Sequence, residues 1–95
     1  MAAYVIAQIK INDFETFKKY QADVHATIEK YGGKYLVRGG DITPKEGGWT
    51  PERVVVLEFP DMATLNTWYD SDEYQSIIGF RTSAADGKLL FVEGV

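Results

Sequence analysis

The sequence predicts an α+β protein of the ferredoxin-like type, with the element order β-α-β-β-α-β. Four runs of residues have the alternation or the composition of strands. The segments between them carry apolar residues at helical spacing, and each begins at a residue that caps helices well. The chain of 95 residues is too short for two cores, so we expect one domain over residues 1–95. This order is typical of a four-stranded antiparallel sheet with its helices on one face.

The first half of the chain predicts a strand, a helix and a second strand. From Ala3 to Ile11 the residues alternate as they do in a half-buried strand. Asn12-Asp13 offers two good N-caps, and the helix that follows carries an apolar stripe from Phe14 to Tyr31. Gly32-Gly33 ends this helix, because glycine is favoured just after the last turn. Lys34 to Arg38 is the second strand.

The second half begins with a long connection, Asp41 to Glu52, and then repeats strand, helix and strand. Arg53 to Phe59 is rich in β-branched residues, which favour strands. Pro60-Asp61 ends this strand and caps a second helix. The remaining predicted boundaries are a restart of the helix at Ser71, its end at Gly79, a turn at Asp86-Gly87 and a last strand from Lys88 to Gly94.

Alternation divides the predicted sheet into a helix-covered face, which is nearly all apolar, and a helix-free face. The helix-covered face ends, in the last strand, with Leu90 and Val92. The helix-free face mixes large apolar side chains with charged ones, which suits neither open water nor an ordinary core. Its predicted members are Tyr4, Ile6, Gln8, Lys10, Leu36, Arg38, Val54, Val56, Glu58, Leu89, Phe91 and Glu93.

A second copy of the chain would explain this mixed composition. Two sheets that pack face to face would bury the apolar side chains and leave a partly polar interior between them. Trp49 stands in the long connection, where no helix or strand buries it, so we expect it to pack on the partner or to cover the mouth of a cavity. The residues predicted at the dimer interface are Leu36, Trp49, Val54, Val56 and Phe91.

Several motifs, taken together, resemble one bacterial family. They are YGGKYLVRGG from Tyr31, the run from Trp49 to Pro60, WYDSDEYQ from Trp68, Arg81, and the ending LFVEGV. The combination is similar to the bacterial domain-of-unknown-function family numbered thirteen-thirty, over nearly the whole chain. The resemblance implies a ferredoxin-like fold within the dimeric α/β barrel group, and no established activity. The wider group includes cofactor-independent monooxygenases and muconolactone-type isomerases, a likeness of fold that does not fix function.

Arg38 is the centre of the predicted site. On the helix-free face it would either pair with Glu58 or Glu93 or bind an anionic ligand through its planar fork. In the second case the two carboxylates could serve as acid and base, so that both join Arg38 as candidates for catalysis. His25, the only histidine, is a further candidate, although a surface imidazole is the simpler interpretation. With no cysteine and one histidine, we expect no metal site.

The predicted ligand-binding residues combine aromatic and polar side chains. Aromatic residues at helical spacing more often belong to the core, and Arg81 could equally form an ion pair, so both alternatives stay open. The predicted set is Tyr4, Gln8, Arg38, Trp68, Tyr74 and Arg81.

The leading functional hypothesis is a cytoplasmic homodimer that binds a small anionic or aromatic metabolite in the cavity between its sheets. The alternatives are a cofactor-independent oxygenase or isomerase, and a structural or stress-associated dimer without a ligand. A net charge of −4 with scattered basic residues speaks against nucleic acid. The N-terminal segment resembles neither a signal peptide nor a membrane span, which predicts a cytoplasmic protein without a membrane partner. No phosphate-loop or dinucleotide motif occurs, so we expect no cofactor.

Overall fold

A computed structural model describes residues 1–95 as one antiparallel sheet with three helices. The strand order in the sheet is β2-β3-β1-β4, and all neighbouring strands are antiparallel. The ferredoxin-like prediction is therefore confirmed, with the second helix divided in two. The elements are β1 (Ala3–Ile11), α1 (Phe14–Lys30), β2 (Lys34–Arg38), β3 (Arg53–Phe59), α2 (Met62–Asp70), α3 (Asp72–Ala84) and β4 (Ala85–Glu93).

Each helix begins at a short polar side chain that binds a free backbone N–H of the first turn. Asp13 accepts from the N–H of Thr16 at 3.2 Å, and Asp61 accepts from that of Thr64 at 2.7 Å. Ser71 both ends α2 and caps α3, where its Oγ accepts from the N–H of Tyr74 at 3.2 Å. The predicted restart of the helix at Ser71 is thus confirmed.

The core lies between the sheet and the helix layer. Strand β1 places every second residue from Ala3 to Ile9 on the helix-covered face, and all four are buried. The largest side chains buried against them come from β3 and all three helices, because the helices turn their apolar stripes toward the sheet. They are Phe59, Ile28, Leu65, Trp68 and Tyr74.

The sequence prediction of the last helix and strand is wrong at two boundaries. Helix α3 continues through Gly79 to Ala84, and β4 starts at once at Ala85. Asp86-Gly87 is not a turn, because these residues pair with Lys10 and Ile9 of β1. The ladder with the nine-residue β1 satisfies their backbone groups, and this pairing overrides the local preference of Asp-Gly for turns.

The predicted faces of β4 are also wrong. Val5 stands opposite Phe91 and Ala7 opposite Leu89, and directly opposed residues point to the same face of a sheet. Leu89, Phe91 and Glu93 therefore belong to the helix-covered face, while Leu90 and Val92 belong to the helix-free face. Residues 89–92 are all apolar, so alternation cannot tell which of them face the helices. Only the register with β1 decides this.

A β-bulge in β2 reverses the predicted position of Arg38. Tyr35 stands opposite Leu57, but the next pair joins Val37 to Val56, so β2 holds one extra residue at this point. Beyond the bulge, Val37 lies on the helix-free face, and Arg38, opposite Val55, lies on the helix-covered face. The prediction failed because alternation assumes a regular strand.

Candidate functional site

The helix-free face exposes a broad apolar surface. Five of its large apolar side chains have between 38% and 55% of their area exposed, and the half-buried Val54 and Val56 lie among them. A contiguous apolar surface of this kind marks an interaction site in soluble proteins. The five are Ile6, Leu36, Val37, Leu90 and Val92.

The charged groups of this face do not form the predicted site. Glu58 pairs with Lys34, with the Nζ and Oε1 atoms 3.2 Å apart, and its hydrogen bond with Tyr4 raises the pKa of that phenol. Arg38 and Glu93 lie on the other face, on the two outer strands of the sheet, so within one chain they meet neither Glu58 nor each other. The predicted pairing of Arg38 with Glu58 or Glu93 is therefore absent within the chain.

Trp49 folds back from the long connection onto the helix-free face. Its indole Nε1 donates a hydrogen bond of 2.6 Å to Oε1 of Gln8, although 59% of the side chain stays exposed. A pocket of 230 Å³ lies beside it. Its walls are apolar except for Gln8 and the Lys88 ammonium, which the sequence interpretation missed. The pocket is lined by Ile6, Ala7, Gln8, Trp49, Val54, Lys88, Leu89 and Leu90.

A second cavity lies on the helix-covered face, between the sheet and helices α1 and α3. Its volume is 40 Å³, room for about two to four water molecules at roughly 10–15 Å³ each. The walls are apolar apart from Lys88 and four polar side chains that converge on the cavity: Tyr20, Tyr35, Tyr74 and Arg81. The hydroxyl oxygens of Tyr20 and Tyr74 lie 2.9 Å apart and join α1 to α3 by a hydrogen bond.

Arg81 is a cation of this cavity, together with Lys88, and no carboxylate lies within ion-pair distance of it. Its guanidinium carbon is 5.9 Å from the centre of the Tyr20 ring. Burial lowers the pKa of Arg81, but the neighbouring phenols of Tyr74 and Tyr20 more than offset this, so the pKa is raised and the group stays charged. Burial also raises the pKa of Tyr20, which keeps that phenol neutral.

The ring of Tyr35 lines the cavity next to β2 and contacts two further groups. The guanidinium carbon of Arg38 is 4.5 Å from the ring centre, and the imidazole of His25 stacks on the ring at 5.6 Å between centres. His25 also contacts the carboxylate of Glu29. Burial raises the pKa of Tyr35, while Arg38 and Arg53 oppose this shift. His25 is thus a surface residue beside the cavity.

The structure divides the predicted ligand-binding residues among three places. Trp68, Tyr74 and Arg81 line the helix-covered cavity, Tyr4 and Gln8 lie on the helix-free face, and Arg38 lies over the ring of Tyr35. Phe91, predicted at the dimer interface, instead packs against Tyr69 under the helices, with ring centres 5.4 Å apart.

Two aromatic residues of the cavity were missed as site residues. Tyr20 follows Phe17 by three residues and precedes Val24 by four, so helical spacing could have placed it on the inner stripe of α1. Tyr35 was assigned to the correct face, but only as a core residue.

Neither a metal site nor a membrane-spanning segment is visible. No group of three or more His, Asp or Glu side chains is close enough to hold a metal ion. None of the three helices has the length and apolar content to cross a bilayer.

Comparison with known proteins gives one family match and several similar folds. The family described as Domain of unknown function (DUF1330) matches residues 2–95. No curated protein matches the sequence.

Three of the similar solved structures share the fold at low identity. A protein of unknown function from Rhodopseudomonas palustris is 16% identical, with a TM-score of 0.79, over 99% of this chain and 82% of that one. A dimeric ferredoxin-like protein of unknown function from Jannaschia sp. CCS1 is 11% identical, with a TM-score of 0.73, over 99% of this chain and 100% of that one. SnoaB, a cofactor-independent oxygenase from Streptomyces nogalater, is 7% identical, with a TM-score of 0.65, over 99% of this chain and 93% of that one. At these identities the likeness shows the fold alone.

Proposed function

Because this chain belongs to the DUF1330 family, whose description names no activity, we propose its function from its geometry: a homodimer in which each chain binds a small anionic aromatic metabolite in the helix-covered cavity. The observation that carries the proposal is Arg81, a half-buried cation that faces an aromatic cavity without a carboxylate beside it.

The lack of an acidic partner for Arg81 is not explained by a shortage of acids. The chain has 14 acidic and 10 basic residues, yet all four ion pairs use Lys or His as the cation. Partial burial of an unpaired charge costs free energy, so such a group is retained where it has a further role. A ligand carboxylate or phenolate would supply the missing anion, and the tyrosine rings would pack on the ligand ring.

The cavity must enlarge before an aromatic ligand can bind in it. A volume of 40 Å³ is too small for an aromatic ring, because ligand pockets usually measure roughly 300–1,000 Å³. The hydrogen bond between Tyr20 and Tyr74 joins α1 to α3 at the wall of the cavity. We infer that the ligand enters when this bond breaks and α3 moves outward, with Arg81 moving together with the helix that carries it.

Dimer formation through the helix-free face is the second part of the proposal. Its support is the exposed apolar surface around Ile6 and Leu90, together with the dimeric state of the ferredoxin-like protein from Jannaschia. In such a dimer the pocket beside Trp49 would be covered by the second chain. A cytoplasmic location stays a prediction.

Catalysis of the oxygenase or isomerase type has less support from the geometry. Abstraction of a proton needs a base whose pKa lies near the working pH. The pKa values of the Tyr20 and Tyr35 phenols are both raised by burial, so these groups are protonated at neutral pH. The cavity therefore favours binding over proton transfer.

A thermal-shift series tests the proposed function. With 4-hydroxybenzoate at about 100 times its dissociation constant, binding stabilises the wild type by about 2.7 kcal/mol and raises its melting temperature by several degrees. Arg81→Gln should abolish the rise, and benzamide, a neutral ring, should produce none. Lys10→Gln, on the helix-free face, is the matched control that should respond as the wild type does. An unchanged wild type across a panel of aromatic carboxylates, or an equal response of Arg81→Gln, would contradict the proposal.

A further inference from the structure

The three arginines of the chain are Arg38, Arg53 and Arg81, and none of them takes part in an ion pair. Arg81 belongs to the cavity described above. The other two lie together at the end of the β2–β3 strand pair, where the proposed metabolite site does not reach. They form a separate group of two cations without a carboxylate.

The register of the two strands brings Arg38 and Arg53 to the same face. Arg38 stands opposite Val55, and Arg53 is two residues before Val55 on β3, so the two arginines are diagonal neighbours on the helix-covered face. Such diagonal positions lie about 7–8 Å apart, within reach of long side chains. The N–H of Gly39 donates to the carbonyl of Val54 at 3.1 Å and holds this end of the strand pair together.

Packing on a glycine holds the head group of Arg53 in place. A Cβ atom at Gly39 would lie 2.5 Å from Nη1 of Arg53, so only glycine lets the guanidinium lie against the backbone here. Gly39 also has φ of +69°, a conformation that side chains with a Cβ rarely adopt. The buried Nε of Arg53 has no hydrogen-bond acceptor. The guanidinium is therefore placed by the fold while part of its donor capacity stays unused.

Arg38 is positioned by an aromatic ring. Its guanidinium lies over Tyr35, and the other aromatic neighbour of that ring is His25. The carboxylate of Glu29 contacts His25, and it forms an ion pair with neither arginine. Both arginines lower the pKa of the Tyr35 phenol, whereas burial raises it. Their shared effect agrees with a position of both cations near this ring.

Two like charges held close together repel each other, and a bound anion removes this repulsion. A guanidinium offers a planar fork of N–H donors that matches the oxygens of carboxylates and phosphates. One carboxylate neutralises only one of the two cations, whereas the phosphate of a monoester carries about two negative charges at neutral pH and has three acceptor oxygens. The phosphate group is therefore the better match in charge and in number of acceptors.

We propose that Arg38 and Arg53 form a binding site for the phosphate group of a phosphate monoester, on the β2–β3 edge and independent of Arg81. The Nη groups of Arg53 and the fork of Arg38 donate to the phosphate oxygens. Tyr35 contacts Arg38 and also lines the helix-covered cavity, whereas neither Arg38 nor Arg53 lines that cavity.

The test is a titration of the ¹⁵N-labelled protein with methyl phosphate and with acetate, at low ionic strength and neutral pH, followed by NMR. We expect saturable shifts of the Arg53 Nε–H signal and of the Gly39 and Val54 amides, with methyl phosphate binding at least about tenfold more tightly than acetate, a difference of about 1.4 kcal/mol. Added salt should weaken binding, because both cations are near the surface.

Charge-conserving variants distinguish specific recognition of phosphate by the two guanidinium groups from non-specific attraction of an anion to positive charge. Arg38→Lys and Arg53→Lys keep the charge but lose the fork, and each should weaken methyl phosphate binding by about tenfold. Arg81→Lys should leave it unchanged, so failure of this site and failure of the metabolite site are distinguishable. Equal binding of acetate, equal affinity of Arg53→Lys, or shifts spread over the exposed lysines would each overturn the proposal.

Discussion

The indole Nε1 of Trp68 donates a hydrogen bond of 3.0 Å to the hydroxyl of Thr27 in the interior of the protein. The same hydroxyl donates to the carbonyl of Val24 at 2.7 Å. Trp68 is 1% exposed, so water cannot replace the bond. These two bonds fix α2 against α1, and the hydroxyl of Thr27 is the link between the two helices.

Thr27→Val removes this hydroxyl with little change of volume. The buried indole N–H then has no acceptor, and the loss should lower the free energy of unfolding by about 1–3 kcal/mol. Urea denaturation measures the change. Thr27→Ser keeps the hydroxyl and is the matched control; it should be the more stable of the two variants, and the reverse order would show that the hydrogen bond contributes nothing.

Leu89 and Leu90 are neighbours in β4 that face opposite sides of the sheet, and the same substitution should affect them differently. Leu90→Lys places charges in the proposed dimer interface, once from each chain, and should raise the dimer dissociation constant by roughly 100-fold. Light scattering at several protein concentrations measures this. The stability of the monomer should change by less than about 0.5 kcal/mol, since 55% of the Leu90 side chain is exposed.

Leu89→Lys is the matched variant on the helix-covered face. Leu89 lines the cavity under the helices, so a lysine there should lower the free energy of unfolding by about 2–4 kcal/mol. A monomeric wild type would contradict the proposed dimer. A Leu90→Lys variant that unfolds while Leu89→Lys does not would contradict the assignment of the faces.

Two glycines should respond in opposite directions to alanine. Gly79 lies inside α3, and a Cβ there would meet nothing within 4 Å, so Gly79→Ala should raise the free energy of unfolding by about 0.5–1 kcal/mol. A Cβ at Gly33 would lie 2.6 Å from the ring of Phe59, so Gly33→Ala should destabilise the fold. Chemical denaturation of both variants checks the signs. Stabilisation by both would mean that the contact at Gly33 is easily relieved.

The capping carboxylates should contribute to acid sensitivity. Hydrogen bonds from the Thr16 hydroxyl and N–H lower the pKa of Asp13, and the N–H of Thr64 does the same for Asp61. Because the folded pKa lies below the ordinary value of 3.8, the unfolded chain takes up protons first as the pH falls. The stabilisation is complete well above that value and is lost as the pH falls through the folded pKa.

Asp13→Asn with Asp61→Asn isolates this effect, since asparagine also caps helices but does not titrate. Between about pH 5 and pH 2.5, the melting temperature of the double variant should fall by several degrees less than that of the wild type. Parallel curves for the two proteins would show that the caps do not contribute to acid unfolding.

The sequence predicted the fold wherever one periodic signal was unambiguous. The bounds of β1, β2 and β3 agree with the structure, because polar, glycine or proline residues mark most of their ends. The phase of β4 could not be predicted, since residues 89–92 are apolar on both faces and only pairing with β1 decides between them. The bulge has no sequence signal either: its extra residue, Leu36, is an ordinary strand residue.

The wrong phase of β4 and the unpredicted bulge in β2 also explain why residues of the candidate site were misplaced or missed. Arg38 and Phe91 were predicted on the helix-free face, so the centre of the predicted site lay on the wrong side of the sheet. Tyr74 and Arg81 were predicted from their chemistry alone, which does not depend on strand register. Arg53, the first residue of β3, was treated only as a strand residue, and its position beside Arg38 became visible only through the register of β2 and β3.

Leu36, the extra residue of the bulge in β2, has no partner of its own in the ladder. Because Val37 is already paired with Val56 and Arg38 with Val55, loss of the single codon for Leu36 would leave a regular ladder with the same pairs. One deletion, without any substitution, would therefore remove an exposed leucine from the surface proposed for self-association and leave both arginines where they are. Short deletions at this point are thus a route by which sequence divergence could change quaternary structure while ligand recognition is retained.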